Sequence, residues 1–260
     1  MPDAAKSTGG FSWAGGDTTG GMFQPDGPTV IELARQALSS VERGYDLLAP
    51  KFDATPYRTP DALLAAVAAQ LGPPGSVGDA LDVCCGTGAA ARFLRPLCTG
   101  RVVGVDLSAG MLDEARRRHA DDPGPAALSF VKGDALALPF EREFDLVTSF
   151  GAFGHIAEPD EGRLVAGVAR ALRPGGRFAF VTADPPSPLS PRALRARAFN
   201  AAMRARNAVW RPPFVMYYLT FLLPRARVLL EAAGFEVEVR RSVLPRPYER
   251  YVLVLARRPR

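Results

Sequence analysis

Cysteine occurs three times and histidine twice in 260 residues, and that scarcity narrows the chemistry at once. Cys84 and Cys85 are adjacent and Cys98 stands apart, a spacing that fits neither a secreted disulfide framework nor paired zinc ligands. A reducing cytoplasm is the expected compartment. No apolar run approaches the roughly 18 residues needed to cross a bilayer. The N-terminus also lacks the basic-then-apolar order of a signal peptide, so a soluble protein without a transmembrane segment is expected. Acid is missing from one long stretch: between Pro185 and Leu230 stand Arg192, Arg195, Arg197, Arg204, Arg206, Arg211, Arg225 and Arg227, with no Asp or Glu. The formal net charge of +5 is therefore the property of one segment. With 47% hydrophobic and 23% charged residues the remainder has an ordinary globular balance, which excludes disorder as the global state.

Residues 1–27 are rich in Gly, Ser, Thr and Asp and too poor in apolar side chains to offset their ordering entropy, so they read as a mobile tail. Residues 28–78 read as an N-terminal helical segment. Within it one helical pattern runs from Pro28 to about Leu48, Tyr45 to Arg58 is turn-rich, and Thr59-Pro60-Asp61 carries a helix start with Thr59 as cap. From 79 to 183 short apolar runs alternate with helical segments, the pattern of a parallel sheet covered on both faces. Four prolines and an arginine-rich helix interrupt that rhythm over 184–223, which reads as an inserted lid. Residues 224–260 return to the core, where Phe235–Ser242 and Tyr248–Ala256 are two strands with no crossover helix between them and predict an antiparallel pair.

The chemistry begins at Ala80-Leu81-Asp82-Val83-Cys84-Cys85-Gly86-Thr87-Gly88. An apolar strand enters a glycine turn and then a helix, so backbone can approach a ligand while helix N–H groups face it. Gly86-x-Gly88-x-x-Ala91, with Asp106 some twenty residues on, also fits a dinucleotide fingerprint, and on that pattern an NAD or FAD enzyme stays open. Three features point elsewhere. Asp82 puts a carboxylate at the strand mouth, where it attracts an ammonium and repels a pyrophosphate. Gly133-Asp134 sets a second acceptor after the third strand, and the terminal antiparallel pair is foreign to the usual dinucleotide sheet.

The ordered series Asp82…Gly86-Thr87-Gly88, Val105-Asp106-Leu107-Ser108, Gly133-Asp134-Ala135, Phe144-Asp145-Leu146-Val147 and Leu172-Arg173-Pro174-Gly175-Gly176 resembles the class I S-adenosylmethionine-dependent methyltransferases of the type 11-like group, over residues 45–256. The resemblance implies an α/β fold with a Rossmann-like seven-stranded sheet of order 3-2-1-4-5-7-6, the last strand antiparallel. It also implies S-adenosylmethionine as cofactor, with Asp106 on the ribose hydroxyls, Asp134 on the adenine amino group and Ala135 beside the adenine. Backbone around Cys84, Gly86 and Gly88 would face the methionine part, and Phe52, Leu107 and Phe150 complete the cofactor-binding candidates. Cys84 stands where the family usually has a glycine, and the Cys-Cys-Gly-Thr-Gly form is similar to ubiquinone and menaquinone C-methyltransferases. Cys84 lacks a basic neighbour in sequence, so a structural role is expected rather than a nucleophilic one.

His155, after the fourth strand, is the one candidate general base, able to take a proton from a phenol as the methyl arrives. A positioning role without catalysis is the alternative. A sulfonium methyl is already activated, so in-line positioning alone supplies several kcal/mol and no metal is required; metal-independent transfer is expected. Ser149-Phe150-Gly151-Ala152 lacks the Asn/Asp-Pro-Pro-aromatic turn of base N-methyltransferases. Asp184-Pro185-Pro186-Ser187 comes one strand too late and reads as a loop. Tyr57, Phe153, Phe214, Tyr217, Tyr218 and Phe221 are the candidate lining of an apolar acceptor pocket, which favours a small aromatic or hydrophobic metabolite over nucleic acid. Phe199, Met203 and Trp210 form one stripe of the lid helix, and Arg197, Arg204 and Arg211 another. The second stripe suits either a solvated face or an anionic partner such as RNA or a membrane surface. A cofactor-binding protein without catalysis is a further alternative. The sequence carries no signal for subunit number.

Overall fold

In the computed structural model of the protein, the residues described are 27–122 and 124–260. Apart from Gly27, the tail expected over residues 1–27 lies outside the described residues. The helical pattern from Pro28 to Leu48 is two helices rather than one, α1 (Val30–Ala37) and α2 (Val41–Leu48). The break has a local cause. Thr29 and Glu32 cap the start of α1 reciprocally, and Ser40 caps α2 by accepting the Arg43 N–H at 3.2 Å, so a second helix start competes with continuing the first. The expected turn-rich stretch from Tyr45 onward is consequently helical as far as Leu48 and continues as a 3-10 turn over Ala49–Ala54. α3 (Asp61–Leu71) begins at Pro60, not at a Thr59 cap: no side chain caps it, and Leu63 and Leu64 N–H bond the Pro60 carbonyl.

The core alternates as the apolar runs predict: β1 (Ala80–Val83), α4 (Ala91–Leu94), β2 (Arg101–Asp106), α5 (Ala109–Arg118), β3 (Ala127–Lys132), β4 (Phe144–Ser149), α6 (Glu161–Ala171) and β5 (Leu172–Ala183). Then follow α7 (Pro191–Val209), α8 (Leu223–Ala232), β6 (Glu236–Arg240) and β7 (Tyr251–Arg257). The seven strands are ordered β3-β2-β1-β4-β5-β7-β6, with β7 antiparallel to both β5 and β6. This is the Rossmann-like arrangement the sequence series implied.

Period-two alternation sends Leu81, Val103, Val147, Phe178 and Phe180 to one face, where Leu164, Val168, Ala226 and Leu230 of α6 and α8 cover them. Ala80, Val102, Leu146 and Val181 face the other way onto Leu63, Leu64 and Val67 of α3. Every residue of β1 is buried, Asp82 included, which fixes the strand-end loops on a rigid base. The two edge strands, β3 and β6, lack two-sided cover: neither has a fully buried residue, and Val131 of β3 is 42% exposed. On α7, Ala193 and Ala196 are buried and Phe199 and Met203 half-buried, but Trp210 lies just past the helix end and is exposed, not part of the inner stripe.

Candidate active site

At the carboxyl ends of the parallel strands the loops enclose a cavity of about 410 Å³. β1 leaves its last residue through left-handed backbone at Cys84 (φ 58°), Gly86 (φ 54°) and Gly88 (φ 77°). Gly88 is required for packing, because a Cβ there would come within 3.0 Å of the Phe130 ring and 3.2 Å of Ala115. Among the described residues only the Phe52 ring edge, 4.0 Å away, comes near where a Gly86 Cβ would be, so a ligand can reach the backbone at this point. Asp106 at the end of β2 clamps the turn: one carboxylate oxygen accepts the Gly86 N–H at 2.8 Å and the other the Ser108 N–H at 2.9 Å. Burial raises its pKa, and the N–H groups of Ser108, Gly86 and Leu107 oppose that rise by stabilising the anion. A carboxylate beside a glycine turn is an acceptor suited to vicinal hydroxyls, and the donor set fits a nucleoside-bearing ligand.

Phe52, Cys84, Gly86, Asp106, Leu107, Asp134, Ala135 and Phe150 from the cofactor candidates all line this cavity, together with Tyr57, Phe153, His155, Tyr217 and Tyr218. Asp134 caps the 3-10 turn Ala135–Ala137 through the Leu136 N–H at 2.8 Å and is itself exposed. Four candidates do not line the cavity. Asp82 is 3% exposed beneath the turn, where it accepts the Thr148 hydroxyl across the β1–β4 register at 2.7 Å. Burial pushes its pKa up to about 7, which the Thr148 hydroxyl partly counters. Gly88 turns toward Phe130. Phe221 stacks on Phe153 at 4.5 Å as part of the apolar core, and Phe214 is buried with a ring atom 2.9 Å from where a Gly44 Cβ would stand. Phe214 and Phe221 therefore support the cavity wall from behind it. Cys84 meets the cavity with its thiol pKa held well above the ordinary value by burial and by the carboxylates of Asp106, Asp82 and Asp134, a setting opposed to nucleophilic use.

The cavity also contains a pairing not legible in the sequence. The Tyr45 hydroxyl lies 2.6 Å from His155 Nε2, and His155 Nδ1 lies 2.8 Å from the Val215 carbonyl. A carbonyl only accepts, so Nδ1 carries the proton and Nε2 of the neutral ring accepts from Tyr45. Burial lowers the His155 pKa, partly opposed by the Val215 hydrogen bond, and burial raises that of Tyr45. Across the cavity Tyr218 is pushed up to about 12, by burial first and then by the Tyr57 phenol.

Tyr45 belongs to an N-terminal strap whose acids bind the cofactor-side loops. Asp46 accepts the Ser108 hydroxyl at 2.6 Å and the Gly110 N–H at 2.9 Å; Asp53 accepts the Thr87 hydroxyl at 2.7 Å and Arg58 at 2.8 Å and pairs with Arg118. Glu42 pairs with Lys132 at 2.6 Å. The one local signal for this strap is Ser40, whose cap starts α2 and puts Glu42, Tyr45 and Asp46 on one short helix.

Residues 80–176 match the family model described as a methyltransferase domain. The chain is 40% identical over 111 residues to a demethylmenaquinone methyltransferase of Symbiobacterium thermophilum, covering 41% of this chain and 43% of the relative. It is 32% identical over 162 residues to a ubiquinone/menaquinone biosynthesis C-methyltransferase of Desulfotalea psychrophila, covering 61% of this chain and 54% of the relative. The chain thus spans about half the length of the curated relatives it matches. Among solved structures, an S-adenosylmethionine-dependent methyltransferase of Mesorhizobium loti superposes with a TM-score of 0.55 at 25% identity, over 76% of this chain and 98% of the other. The match to a methyltransferase domain thus runs from β1 into the start of β5, the parallel part of the sheet described above.

Proposed function

We propose that the protein transfers a methyl group from S-adenosylmethionine to a small aromatic or hydrophobic acceptor bearing an ionisable hydroxyl, in a metal-independent in-line displacement. The observation that carries this reading is the placement of a neutral, oriented His155 in the same largely apolar cavity as the Asp106 clamp. S-adenosylmethionine, when bound, supplies an electrophilic methyl on a sulfonium. Asp106 is the acceptor for its ribose hydroxyls, Asp134 for its adenine amino group, and the open backbone at Gly86 faces its methionine end. Asp82, one layer down, contributes negative charge beneath that end rather than contact.

The chain's own residues then act on the acceptor. Tyr57, Phe150, Phe153, Tyr217 and Tyr218 enclose a flat apolar molecule and exclude water. His155 Nε2 receives the acceptor's proton through the Tyr45 hydroxyl, which passes its own proton to Nε2 as it takes the acceptor's. The Val215 carbonyl stabilises the imidazolium so formed through the Nδ1 N–H. Quinol and phenol acceptors suit this site, in keeping with the quinone precursors named for its relatives. The free thiols of Cys84, Cys85 and Cys98 suit a reducing cytoplasm.

The test is S-adenosylhomocysteine formation over a panel of phenols, quinols, amines and RNAs, with product masses. Turnover confined to phenols or quinols, unaffected by excess chelator, supports the reading. Turnover confined to RNA, or cofactor binding with no product from any acceptor, refutes it.

A further inference from the structure

The outer face of α7 carries a pattern that the cavity does not use. Along it Leu194, Ala198, Ala201, Ala205, Ala208 and Val209 recur at helical spacing and every one is exposed. Val209 is 86% and Leu194 50% exposed, and Leu189 before the helix and Trp210 after it are 81% and 51% exposed. Arg195 borders this apolar stripe on one side and Arg197 and Arg204 on the other, and Arg211 follows its end; all four are exposed, Arg197 donating to the Pro188 carbonyl at 2.9 Å and Arg204 packing over the Tyr217 ring. No acidic residue lies between Pro185 and Leu230 to neutralise them. Large exposed apolar side chains rimmed by one sign of charge mark an interaction surface.

We infer that α7 lies in the plane of an anionic lipid surface, with Leu194, Val209 and Trp210 in the headgroup–acyl boundary and Arg197 and Arg211 on the lipid phosphates. Charge complementarity selects this occupant. A second copy of the chain would bring arginine against arginine with no acid on either face. A nucleic acid would satisfy the arginines but set its charged backbone against an aliphatic stripe. An anionic bilayer offers phosphate at the flanks and hydrocarbon at the centre, which is the division this face displays.

The placement has a consequence for access. The inner side of α7 holds the cavity wall through Asn200, whose amide bonds Tyr218 N–H and carbonyl at 2.9 Å each, and through Asn207 on Phe214 N–H at 3.0 Å. A helix resting on lipid is thereby coupled directly to the wall past which an apolar acceptor would enter.

The experiment is co-sedimentation of the full chain with phosphatidylcholine vesicles, with and without about one-third phosphatidylglycerol. The expected result is binding to the anionic vesicles alone, weakened by salt. Arg197→Gln/Arg211→Gln should reduce partitioning roughly thirty-fold, the equivalent of about 1 kcal/mol per arginine, and Leu194→Asp/Val209→Asp should abolish it. Both variants should keep the circular dichroism and cofactor affinity of the parent. Equal binding to neutral and anionic vesicles, or none to either, overturns the inference. So does high-affinity RNA binding that survives Leu194→Asp/Val209→Asp, or dimerisation lost in that variant without vesicle binding. Sedimentation is read without methyl transfer, so its failure is separate from failure of the acceptor reading.

Discussion

Replacing Asp82 by Asn isolates the cost of holding a carboxylate beneath the glycine turn. Its pKa rises from 3.8 to about 7 on folding. The folded protein therefore retains a proton that the unfolded chain releases, and stability falls as pH rises between those two values, then levels off above the upper one. At 1.36 kcal/mol per pKa unit the full cost is about 4 kcal/mol, of which roughly 3 kcal/mol develops between about pH 5 and about pH 8. Asn keeps an oxygen for the Thr148 hydroxyl and does not titrate, so any constant offset from its amide cancels in the pH difference. The assay is thermal or denaturant unfolding of the ligand-free protein and Asp82→Asn at both pH values. The parent should lose stability relative to the variant by roughly 3 kcal/mol on going to the higher pH, or roughly 6–12 °C in Tm for a chain of this size. At the higher pH the variant should also bind S-adenosylmethionine more weakly, since it lacks the charge proposed to draw the ammonium. Parallel pH profiles for the two proteins would refute the reasoning.

Tyr45→Phe removes the donor to His155 Nε2, and kcat with a phenolic acceptor should drop about ten-fold or more while cofactor affinity holds; equal kcat would remove Tyr45 from the proton path. Because burial lowers the His155 pKa, its basic form dominates through neutral pH. At saturating S-adenosylmethionine, kcat should then be flat above about pH 6.5 and fall only on the acid side, an acid limb that His155→Ala abolishes along with most turnover. Cys84→Gly relieves left-handed backbone at φ 58° and should leave stability unchanged or raised by up to about 1 kcal/mol, without loss of cofactor binding; marked destabilisation in urea would show that the thiol packs essentially. Glu161 is 2% exposed and accepts Phe221 N–H at 3.2 Å, so Glu161→Leu should destabilise by about 1–3 kcal/mol through that orphaned buried donor.

The parallel core was legible because β1, β2 and β4 are buried on both faces and read as apolar runs, and because each of the turn after β1 and the ends of β2 and β3 carries a short polar signature. What the sequence hid is long-range or contextual. Asp46 and Asp53 meet partners 62 and 34 residues away, and no local pattern marks such pairs. Tyr45 falls at the start of the stretch that reads as turn-rich, whereas the Ser40 cap sets it inside α2. Asp82, Phe214 and Phe221 belong to the right neighbourhood but sit one layer deeper than expected, because neither an acid in a strand nor an aromatic in the α7–α8 connection says which way its side chain turns. The arginines of α7 are plain in the sequence, but not their division between an exposed face with Arg197 and inward contacts such as Arg204 over the Tyr217 ring and Arg206 on the Pro212 carbonyl.

Titration of S-adenosylhomocysteine into the full chain and into Asp106→Ala tests most directly whether this cavity is the cofactor site. Loss of charged hydrogen bonds to two hydroxyls, at about 1.5–3 kcal/mol each, predicts at least about hundred-fold weaker binding in the variant at preserved secondary structure. Equal affinity in both proteins, or preference of the parent for NAD(H) over S-adenosylhomocysteine, would contradict it.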